Sequence, residues 1–398
     1  MPAPRGFAAL AALAAALVAA PPVAALPDCS PLPAARTILS GQGRLESIIA
    51  DARGRLYFTD LSDAKLRRLD APGAEPKVLV EGINGPGGLA WNLDGSLALG
   101  FNGGTQNSVS DGQDGGFMRV DPESGRSEVA TRGMGMANGV VRGPDGALYG
   151  SNDFAGGVDR FFNGSVEDDW AKIETANGLA IDTAGRYLYA AQTFKPASIA
   201  RVELAHPERV ESFFDAAGPD VAAGPDGMTR DDRDRLFVAA NGAGEVWRID
   251  PDRSACALAR GILNASAVNW GGGAPGFPAR NLYVVAFSGV IVELADATDD
   301  PPPPGPPRSA ERPRLLLSVS PATVRRRTRR RFTLRVTTPA QPAGPVAGAT
   351  VRMGNRRART DSKGRATLTV SWFHPGSKDA RASLAGYRSA TARVRVAP

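Results

Sequence analysis

The sequence of 398 residues is poor in metal-binding side chains: it has two cysteines, Cys29 and Cys256, and two histidines, His206 and His374. Zinc and copper sites are built from thiolates and imidazoles, so this composition disfavours such a site. The sequence also contains no G-x-S-x-G phrase, which excludes the nucleophile elbow of serine hydrolases. Its glycine-rich stretches do not lie in the strand-to-helix setting that a phosphate-binding loop requires.

Long apolar runs are equally scarce, and the one pronounced run is at the N-terminus. Arg5 precedes an apolar run from Phe7 to Ala20, which ends at two prolines and is followed by small residues up to Ala25. This order predicts a signal peptide over residues 1–25. A membrane anchor is the alternative, but the run is shorter than the ~20 residues that span a bilayer. We therefore expect a protein without a membrane span that is secreted, extracellular or associated with the cell envelope.

Export decides how the two cysteines are interpreted. In an oxidising compartment an isolated pair most simply forms one disulfide, here between Cys29 and Cys256. The alternative is two free, buried thiols.

Glycine (46 residues) and proline (32 residues) are plentiful, whereas aromatic residues make up 7% of the chain. Frequent glycine and proline mark many short turns, which favours an all-β fold over long helices. The charge is divided unevenly: residues 301–398 carry 21 lysines and arginines against 3 acidic residues, and residues 1–300 carry 26 against 38. Two segments of opposite charge predict two domains with different roles.

A phrase recurs six times in the first three hundred residues: an apolar pair, a tight turn, and a strand that begins near a leucine. These leucines are 41, 51, 40, 48 and 46 residues apart, at Leu56, Leu97, Leu148, Leu188, Leu236 and Leu282. A spacing of about 45 residues is the period of a four-stranded propeller blade. The sequence thus predicts an all-β protein with a six-bladed β-propeller over residues 29–297. A solenoid is the alternative, but it needs capping repeats, and none is evident.

Closure of the ring is expected to involve the N-terminal segment. In many propellers an N-terminal strand completes the last blade, and residues 35–39 suit that role. Cys29 would then lie near the outer strand that contains Cys256, so the disulfide would pin the closure.

The first residue of each repeat enters the innermost strand of its blade, where the blades converge on the central channel. In chain order this position holds Glu46, Gly87, Asn138, Asn177, Asp226 and Ser266. Asn-Gly and Asp-Gly are also ordinary turn dipeptides, which is the alternative for any one copy. Four carboxylate and amide side chains in one phase of separate blades would nevertheless point at one axial site. Carboxylate and amide oxygens suit Ca²⁺ or another divalent cation, with water completing roughly six to eight ligands.

These residues, with the phrases Gly224-Pro-Asp-Gly-Met-Thr and Ser266-Ala-Val-Asn-Trp-Gly-Gly, resemble the SMP-30/gluconolactonase/LRE-like family of six-bladed propellers. The resemblance covers roughly residues 40–296. It implies that Glu46, Asn177 and Asp226 bind a divalent cation. Asp226 would also be the catalytic carboxylate, and Asn138 would face the substrate or a metal-bound water. Members of the family hydrolyse lactones and related esters.

The chain departs from this family beside the third repeat. Family members often carry arginine two residues before the asparagine and aspartate after it, whereas this chain has Met136 and Gly139. The sugar-lactone contact of that arginine is therefore missing. The phrase from Tyr149 to Asp153 also resembles the paraoxonase/arylesterase propellers. The histidine pair discussed for those enzymes cannot be built, because His206 falls in a loop between blades and the other histidine lies beyond the propeller.

Two functional hypotheses follow from the axial residues. In the first, the protein is a Ca²⁺-dependent lactonase or esterase in which the metal polarises the carbonyl and Asp226 activates water. Asp226 is the candidate because it alone combines the axial position, an acid and a neighbouring glycine. In the second, the cation is only structural and the protein is an extracellular binding or adhesion protein. Turnover of a small-molecule lactone or ester separates the two.

A proline-rich linker over residues 298–313 precedes the basic segment. Beyond it, alternating apolar segments separated by turns predict a small immunoglobulin-like β-sandwich over residues 314–398. The arginine cluster at residues 325–331 suits an anionic cell-envelope polymer, the alternative being a solubilising strand edge. Aromatic residues are too scattered there to stack on bases, so we expect no specific nucleic-acid binding.

Overall fold

The computed structural model describes residues 24–273, 275–303, 305, 315–338, 344–384 and 387–398. The predicted signal peptide lies outside these residues apart from its last two positions, and the proline-rich linker is described only in part. Almost all regular structure in the described residues is β-strand, as the sequence predicts. None of the helices among them is both long and apolar enough to cross a membrane.

Six four-stranded antiparallel sheets follow one another along the chain, and we number them 1 to 6 in chain order. The first strand of the chain, β1 (Ala34–Leu39), belongs to sheet 6. Sheet 1 consists of β2 (Leu45–Ala50), β3 (Leu56–Asp60), β4 (Lys65–Leu69) and β5 (Lys77–Glu81). Sheet 2 consists of β6 (Pro86–Trp91), β7 (Leu97–Phe101), β8 (Gly115–Val120) and β9 (Ser127–Met134). Sheet 3 consists of β10 (Val140–Arg142), β11 (Leu148–Ser151), β12 (Val158–Phe162) and β13 (Ser165–Ala171). A short helix, α1 (Thr105–Val109), lies between β7 and β8.

Sheets 4 to 6 continue the same pattern. Sheet 4 consists of β14 (Ala176–Ile181), β15 (Tyr187–Gln192), β16 (Ser198–Glu203) and β17 (His206–Asp215). Sheet 5 consists of β18 (Pro225–Arg230), β19 (Leu236–Ala240), β20 (Glu245–Ile249) and β21 (Ala255–Arg260). Sheet 6 consists of β22 (Ala265–Trp270), β23 (Leu282–Ala286), β24 (Ile291–Ala295) and the N-terminal strand β1. A 3₁₀ helix over Gly218–Ala222 precedes β18.

The sheets are arranged in a circuit. The first strand of each sheet contacts the first strand of the next, from β2 through β6, β10, β14 and β18 to β22, and β22 contacts β2 again. β1 pairs antiparallel with β24, so the N-terminal strand completes sheet 6 as expected for residues 35–39. Ser266 in β22 donates a hydrogen bond to the Leu45 carbonyl oxygen at 2.6 Å, which ties the last sheet to the first.

Apolar side chains hold neighbouring sheets together. The leucine near the start of the second strand is buried in all six sheets. Between sheets 1 and 2, for example, Tyr57 and Leu66 belong to one cluster with Leu97 and Phe101. Because each sheet has a neighbour on both faces, β3 is buried along its whole length. Burial of apolar area at about 25 cal/mol per Å² therefore favours the stacked arrangement over isolated sheets.

Long polar side chains satisfy carbonyl groups at the end of the inner strands. The indole N–H of Trp91 donates to the Ala50 carbonyl oxygen at 2.8 Å, and that of Trp270 donates to the Arg230 carbonyl oxygen at 2.8 Å. Arg230 in turn donates through Nε to the Ile181 carbonyl oxygen at 2.7 Å. Each bond joins two successive sheets and removes an unpaired carbonyl from the packed interior.

The two cysteines are joined in a disulfide between Cys29 and Cys256. Cys256 lies in β21, the last strand of sheet 5. Cys29 lies beside that strand, where its N–H donates to the Ala257 carbonyl oxygen at 2.9 Å. The bond therefore fastens the segment that leads into β1 to sheet 5, while β1 itself belongs to sheet 6.

Residues 315–398 form two sheets, as far as they are described, around a core of their own. One sheet has the order β25 (Leu316–Ser320), β27 (Arg330–Thr337), β30 (Arg365–Val370), and the other has the order β26 (Thr323–Arg325), β32 (Ala390–Ala397), β31 (Gly376–Ser383), β28 (Thr350–Met353), β29 (Arg356–Arg359). Phe332, Val351 and Val394 are buried in this core, which is separate from the clusters of the six sheets. β26, β29 and β31 lack the apolar alternation on which a sequence prediction depends, since they bury few large apolar residues.

Asp159 in β12 is a buried acid that makes the stability depend on pH. Its Oδ1 accepts a hydrogen bond from the Asp169 N–H at 2.8 Å. Burial, together with the negative charges of Asp168, Asp111 and Asp169, raises the pKa of Asp159 from 3.8 to about 7. The folded state therefore binds more protons than the unfolded chain between pH values of about 4 and 7. The contribution of Asp159 to the free energy of unfolding is fully present below about pH 4 and is lost as the pH rises through 7.

Asp159→Asn keeps the acceptor oxygen but cannot ionise. We expect it to raise the free energy of unfolding at pH 8 by about 2–4 kcal/mol, at about 1.4 kcal/mol per pKa unit, and to change it little at pH 4. Urea unfolding at both pH values measures the difference, with Glu128→Gln, at an exposed position of β9, as the control. Equal effects of Asp159→Asn at the two pH values would contradict the argument.

Candidate functional site

The residues predicted for the axial position lie where the inner strands lose their regular pairing. In β2, β14 and β18 the register shifts after the first residue of the strand. Glu46, Asn177 and Asp226 are the second residues of these strands. A bulge of this kind takes a side chain out of the regular alternation and re-aims it. Asn138 precedes β10 by two residues and occupies the corresponding place in sheet 3.

The glycine after three of these residues has a packing role. A Cβ on Gly139 would lie 2.1 Å from the Asn177 carbonyl oxygen, and a Cβ on Gly178 would lie 2.3 Å from the Asp226 carbonyl oxygen. A Cβ on Gly227 would come within 2.5 Å of sheet 6. The Asn-Gly and Asp-Gly pairs therefore mark the close approach of neighbouring inner strands. They are not hairpin turns, because each lies at the start of an inner strand.

Gly178→Ala is expected to force β14 and β18 apart. The backbone carbonyl oxygen that faces the new methyl group cannot move without shifting β18, so we expect a loss of about 1–3 kcal/mol in the free energy of unfolding. Thermal and urea unfolding measure it. Gly344→Ala is the matched control, because among the described residues the atom nearest to a Cβ there would be Thr338 Oγ1 at 3.7 Å. Equal stability of the two variants would show that the inner strands have room to separate.

Two cavities meet at the axial side chains. Their volumes are about 490 and 560 Å³, and both are lined by Glu46, Asn138, Asn177 and Asp226. All four residues are buried. The structure thus brings together the four oxygen-bearing residues that the repeat predicts, at one place between the two cavities. We call these four residues, together with Asp153, the hub.

The other two repeat positions contribute no side chain to the hub. Gly87 has none to contribute. Ser266 is fully buried and donates to the carbonyl oxygens of Leu45 at 2.6 Å and Val285 at 3.1 Å, so it serves the junction between sheets 6 and 1. The repeat pattern alone does not distinguish these positions from the four that converge.

The histidines lie away from the hub. His206 is the first residue of β17, opposite Glu203, and not part of a loop as predicted, because the chain reverses within the two residues before it. His374 lies between β30 and β31 in the C-terminal segment. Neither histidine lines the two cavities in the described part of the chain. The hub is therefore built from carboxyl and amide groups.

Asp153 is a hub residue that the repeat position does not predict. It follows β11 by two residues and lines the larger cavity. Asn177 Nδ2 donates to Asp153 Oδ2 at 3.3 Å. Asn241, directly after β19, likewise donates through Nδ2 to Asp226 Oδ2 at 3.1 Å. The sequence signal for both is a polar residue just past the second strand of a repeat, where the chain returns to the hub.

Three carboxyl groups share this buried region and repel one another. Burial raises the pKa of Glu46 well above its ordinary value, and the charges of Asp226 and Asp153 raise it further. Burial and the charge of Asp153 also raise the pKa of Asp226, against the hydrogen bond from Asn241. Burial raises the pKa of Asp153 to about 6. Three negative charges here are therefore unfavourable unless a positive charge offsets them.

Unpartnered oxygen atoms indicate where a cation would bind. Asn138 Oδ1, Asp153 Oδ1 and Asp226 Oδ1 are buried and accept no hydrogen bond from the protein. Buried polar atoms nearly always have a partner. Within the described residues, no three carboxylate, imidazole or thiolate groups are grouped closely enough to hold a metal ion by themselves. Amide oxygens would have to complete the ligand set, and a hard cation such as Ca²⁺ accepts such a mixture.

The fold and the site together describe an all-β protein whose sheets converge on a buried acidic hub. The chain belongs to the SMP-30/gluconolactonase/LRE-like family, whose model matches residues 45–286. This match confirms the family that the repeat phrases predict. A comparison with curated proteins found no match.

Solved structures share the fold. A gluconolactonase from Xanthomonas campestris is 18% identical, with a TM-score of 0.54 over 69% of this chain and 98% of its own. The calcium-binding protein regucalcin from Agrobacterium tumefaciens is also 18% identical, with a TM-score of 0.54 over 70% of this chain and 99% of its own. A luciferin-regenerating enzyme is 14% identical, with a TM-score of 0.54 over 69% of this chain and 98% of its own. At these identities the likeness concerns the fold alone.

Proposed function

We propose that this protein is a metal-dependent hydrolase of lactones or related esters, built on a six-bladed β-propeller. The observation that carries the proposal is the hub, in which buried carboxyl and amide groups present unpartnered oxygen atoms beside a cavity of about 560 Å³. Membership of a family that is named for gluconolactonase supports the reaction class. The raised pKa values of Glu46, Asp153 and Asp226 show that their negative charges are unfavourable in this buried region, which supports binding of a cation there.

Glu46, Asn177 and Asp226 would hold the cation, which we expect to be Ca²⁺ or another divalent ion. Asp153 lies near enough to Glu46 and Asp226 to raise their pKa values, and its charge would add to the attraction. When bound, such an ion supplies Lewis-acid polarisation of the substrate carbonyl and stabilises negative charge on its oxygen.

Asp226 would be the general base. Its Oδ2 is fixed by the hydrogen bond from Asn241, while its Oδ1 has no partner. The carboxylate would take a proton from a water molecule as the water oxygen bonds to the carbonyl carbon. The carbon–oxygen bond of the lactone or ester then breaks, and the alcohol oxygen leaves with the proton that Asp226 holds. Asn138, which lines both cavities, would orient the substrate.

Hydrolysis of aryl esters and of γ- and δ-lactones in the presence and absence of EDTA tests the proposal. We expect chelation to abolish turnover and added Ca²⁺ to restore it. Because a cation that binds only the folded state stabilises it by about 2.7 kcal/mol at a hundred times its Kd, the unfolding temperature should fall and recover in parallel. Turnover that EDTA leaves unchanged would overturn the metal dependence.

A non-catalytic binding or adhesion protein is the second candidate, and the same hub would then hold a structural cation. It predicts the same rise in unfolding temperature with Ca²⁺ but no turnover of any lactone or ester. The two readouts together therefore separate the candidates.

Export and the role of the C-terminal segment also belong to the proposal. The disulfide between Cys29 and Cys256 supports an oxidising compartment, and thus secretion or association with the cell envelope. Two sheets around one core support an immunoglobulin-like sandwich for residues 314–398. All the arginines of residues 325–331 are exposed. Binding of an anionic cell-envelope polymer by this cluster stays a prediction.

A further inference from the structure

The larger cavity has an aromatic mouth. Phe154 and Phe194 line it, and their rings stack with centroids 5.5 Å apart and planes inclined by 24°. Nevertheless 51% of Phe154 and 60% of Phe194 is exposed. A large apolar side chain that stays exposed contributes little to the stability of the fold, because it buries little area. Exposed apolar side chains grouped beside a cavity are therefore a feature of recognition sites.

Both rings are anchored beside the hub. Phe154 directly follows Asp153. Phe194 directly follows Thr193, whose hydroxyl donates to the Pro225 carbonyl oxygen at 2.6 Å, one residue before the proposed general base. The backbone of Phe154 is therefore adjacent to a hub residue, and that of Phe194 is adjacent to a residue bonded to the strand that carries Asp226.

The lining of this cavity combines exposed aromatic rings with buried polar groups. Phe287 and Met136 add apolar surface to its lining. The guanidinium group of Arg44 lies 4.6 Å from the centroid of the Phe287 ring. Glu46, Asn138 and Asp226 are buried and contribute carboxyl and amide groups to the same lining. A ligand that matches this lining has a polar reacting group at one end and a flat apolar group at the other.

We propose that Phe154 and Phe194 form a subsite for an aromatic substituent, so that the substrates are lactones or esters that carry an aromatic ring next to the reacting group. This inference rests on the proposed function, because the hub defines where the reacting group lies. Stacking upon the exposed face of one of the two rings would hold the substituent, and the polar groups of the hub would receive the carbonyl. The two phenylalanines would thus determine specificity without taking part in proton transfer.

A pair of γ-lactones with the same reacting group tests the subsite: γ-phenyl-γ-butyrolactone and γ-methyl-γ-butyrolactone. In the wild type we expect kcat/KM to be at least about tenfold higher for the phenyl compound. Phe154→Ala and Phe194→Ala should each remove most of this advantage by raising KM for the phenyl lactone about fivefold or more. The kcat values and the kcat/KM for the methyl lactone should stay within about twofold. γ-Cyclohexyl-γ-butyrolactone, which is apolar but not flat, should behave more like the methyl compound.

Phe373→Ala is the matched control, since Phe373 is 70% exposed but belongs to the C-terminal segment. It should leave the phenyl preference intact. Equal phenyl preference in the wild type and in both cavity variants would overturn the subsite while leaving the hydrolase proposal standing.

Binding provides a readout that does not require turnover. If the wild type hydrolyses no lactone, the proposed function fails, and calorimetric titration with the phenyl lactone then decides the subsite alone. Binding that is weakened in Phe154→Ala and Phe194→Ala supports an aromatic subsite. Absent or unchanged binding overturns it.

Discussion

Asp226→Asn is expected to abolish hydrolysis while leaving the fold at least as stable as the wild type in the absence of metal. Asparagine keeps the shape and can still accept a hydrogen bond from Asn241, but it cannot take a proton from water. Loss of the general base and of a charged ligand together should lower kcat/KM by about 1000-fold or more. Because the acid is buried beside Asp153 and Glu46, its removal also relieves repulsion, so the unfolding temperature in EDTA should not fall.

Steady-state kinetics and thermal unfolding in EDTA measure the two halves of this prediction. Glu128→Gln is the control for charge, because Glu128 is an exposed acid on the fourth strand of sheet 2, away from the hub. Its activity should stay within about twofold of the wild type. Retention of more than a tenth of the activity by Asp226→Asn would remove Asp226 from the role of base.

Removal of the disulfide is expected to have the largest effect on stability. The bond between Cys29 and Cys256 spans 227 residues of sequence. By the chain-entropy argument a loop of this length restricts the unfolded chain by about 5 kcal/mol, and measured effects are often smaller, so we expect a loss of about 3–5 kcal/mol. Cys29→Ser combined with Cys256→Ser tests this by urea unfolding.

Reductant distinguishes the bond from the side chains that form it. Dithiothreitol should destabilise the wild type to about the level of the double variant and should leave the double variant unchanged. If the wild type and the double variant unfold at the same urea concentration, β1 and the hydrogen bonds of residues 27–29 to β21 hold the N-terminal segment without the covalent bond. The pairing of β1 with β24 would then be sufficient to complete sheet 6.

The strands of the six sheets follow closely from the sequence, because each repeat encodes its own local structure. The recurring leucines lie near the start of the second strand of every sheet and are buried there. Residues 35–39 join the last sheet, as expected from the way an N-terminal strand completes the last blade of many propellers. The C-terminal segment was less predictable, since β29 and β31 bury small or few side chains and so lack an apolar signal.

The hub was predictable in part. Glu46, Asn138, Asn177 and Asp226 share one phase of the repeat, so a periodic sequence places them on the same side of successive sheets. Asp153 and Asn241 lie outside that phase, and their only sequence signal is a polar residue just past the second strand of a repeat. Whether Asp153 and Asn241 lie beside the axial residues depends on the path of the loop after each second strand, which the tertiary structure determines.

By itself, the sequence determined the all-β repeat, the family and the four residues in axial phase, because these features depend on local spacing. Only the tertiary structure decided that the glycines after Asn138, Asn177 and Asp226 let neighbouring inner strands approach closely and do not form turns. It also decided that Ser266 joins two sheets, that Asp153 adds a third acid, and that two phenylalanines stack at the mouth of the cavity. Such contacts link residues far apart in the chain, and the distance between them is set by the packing of whole sheets.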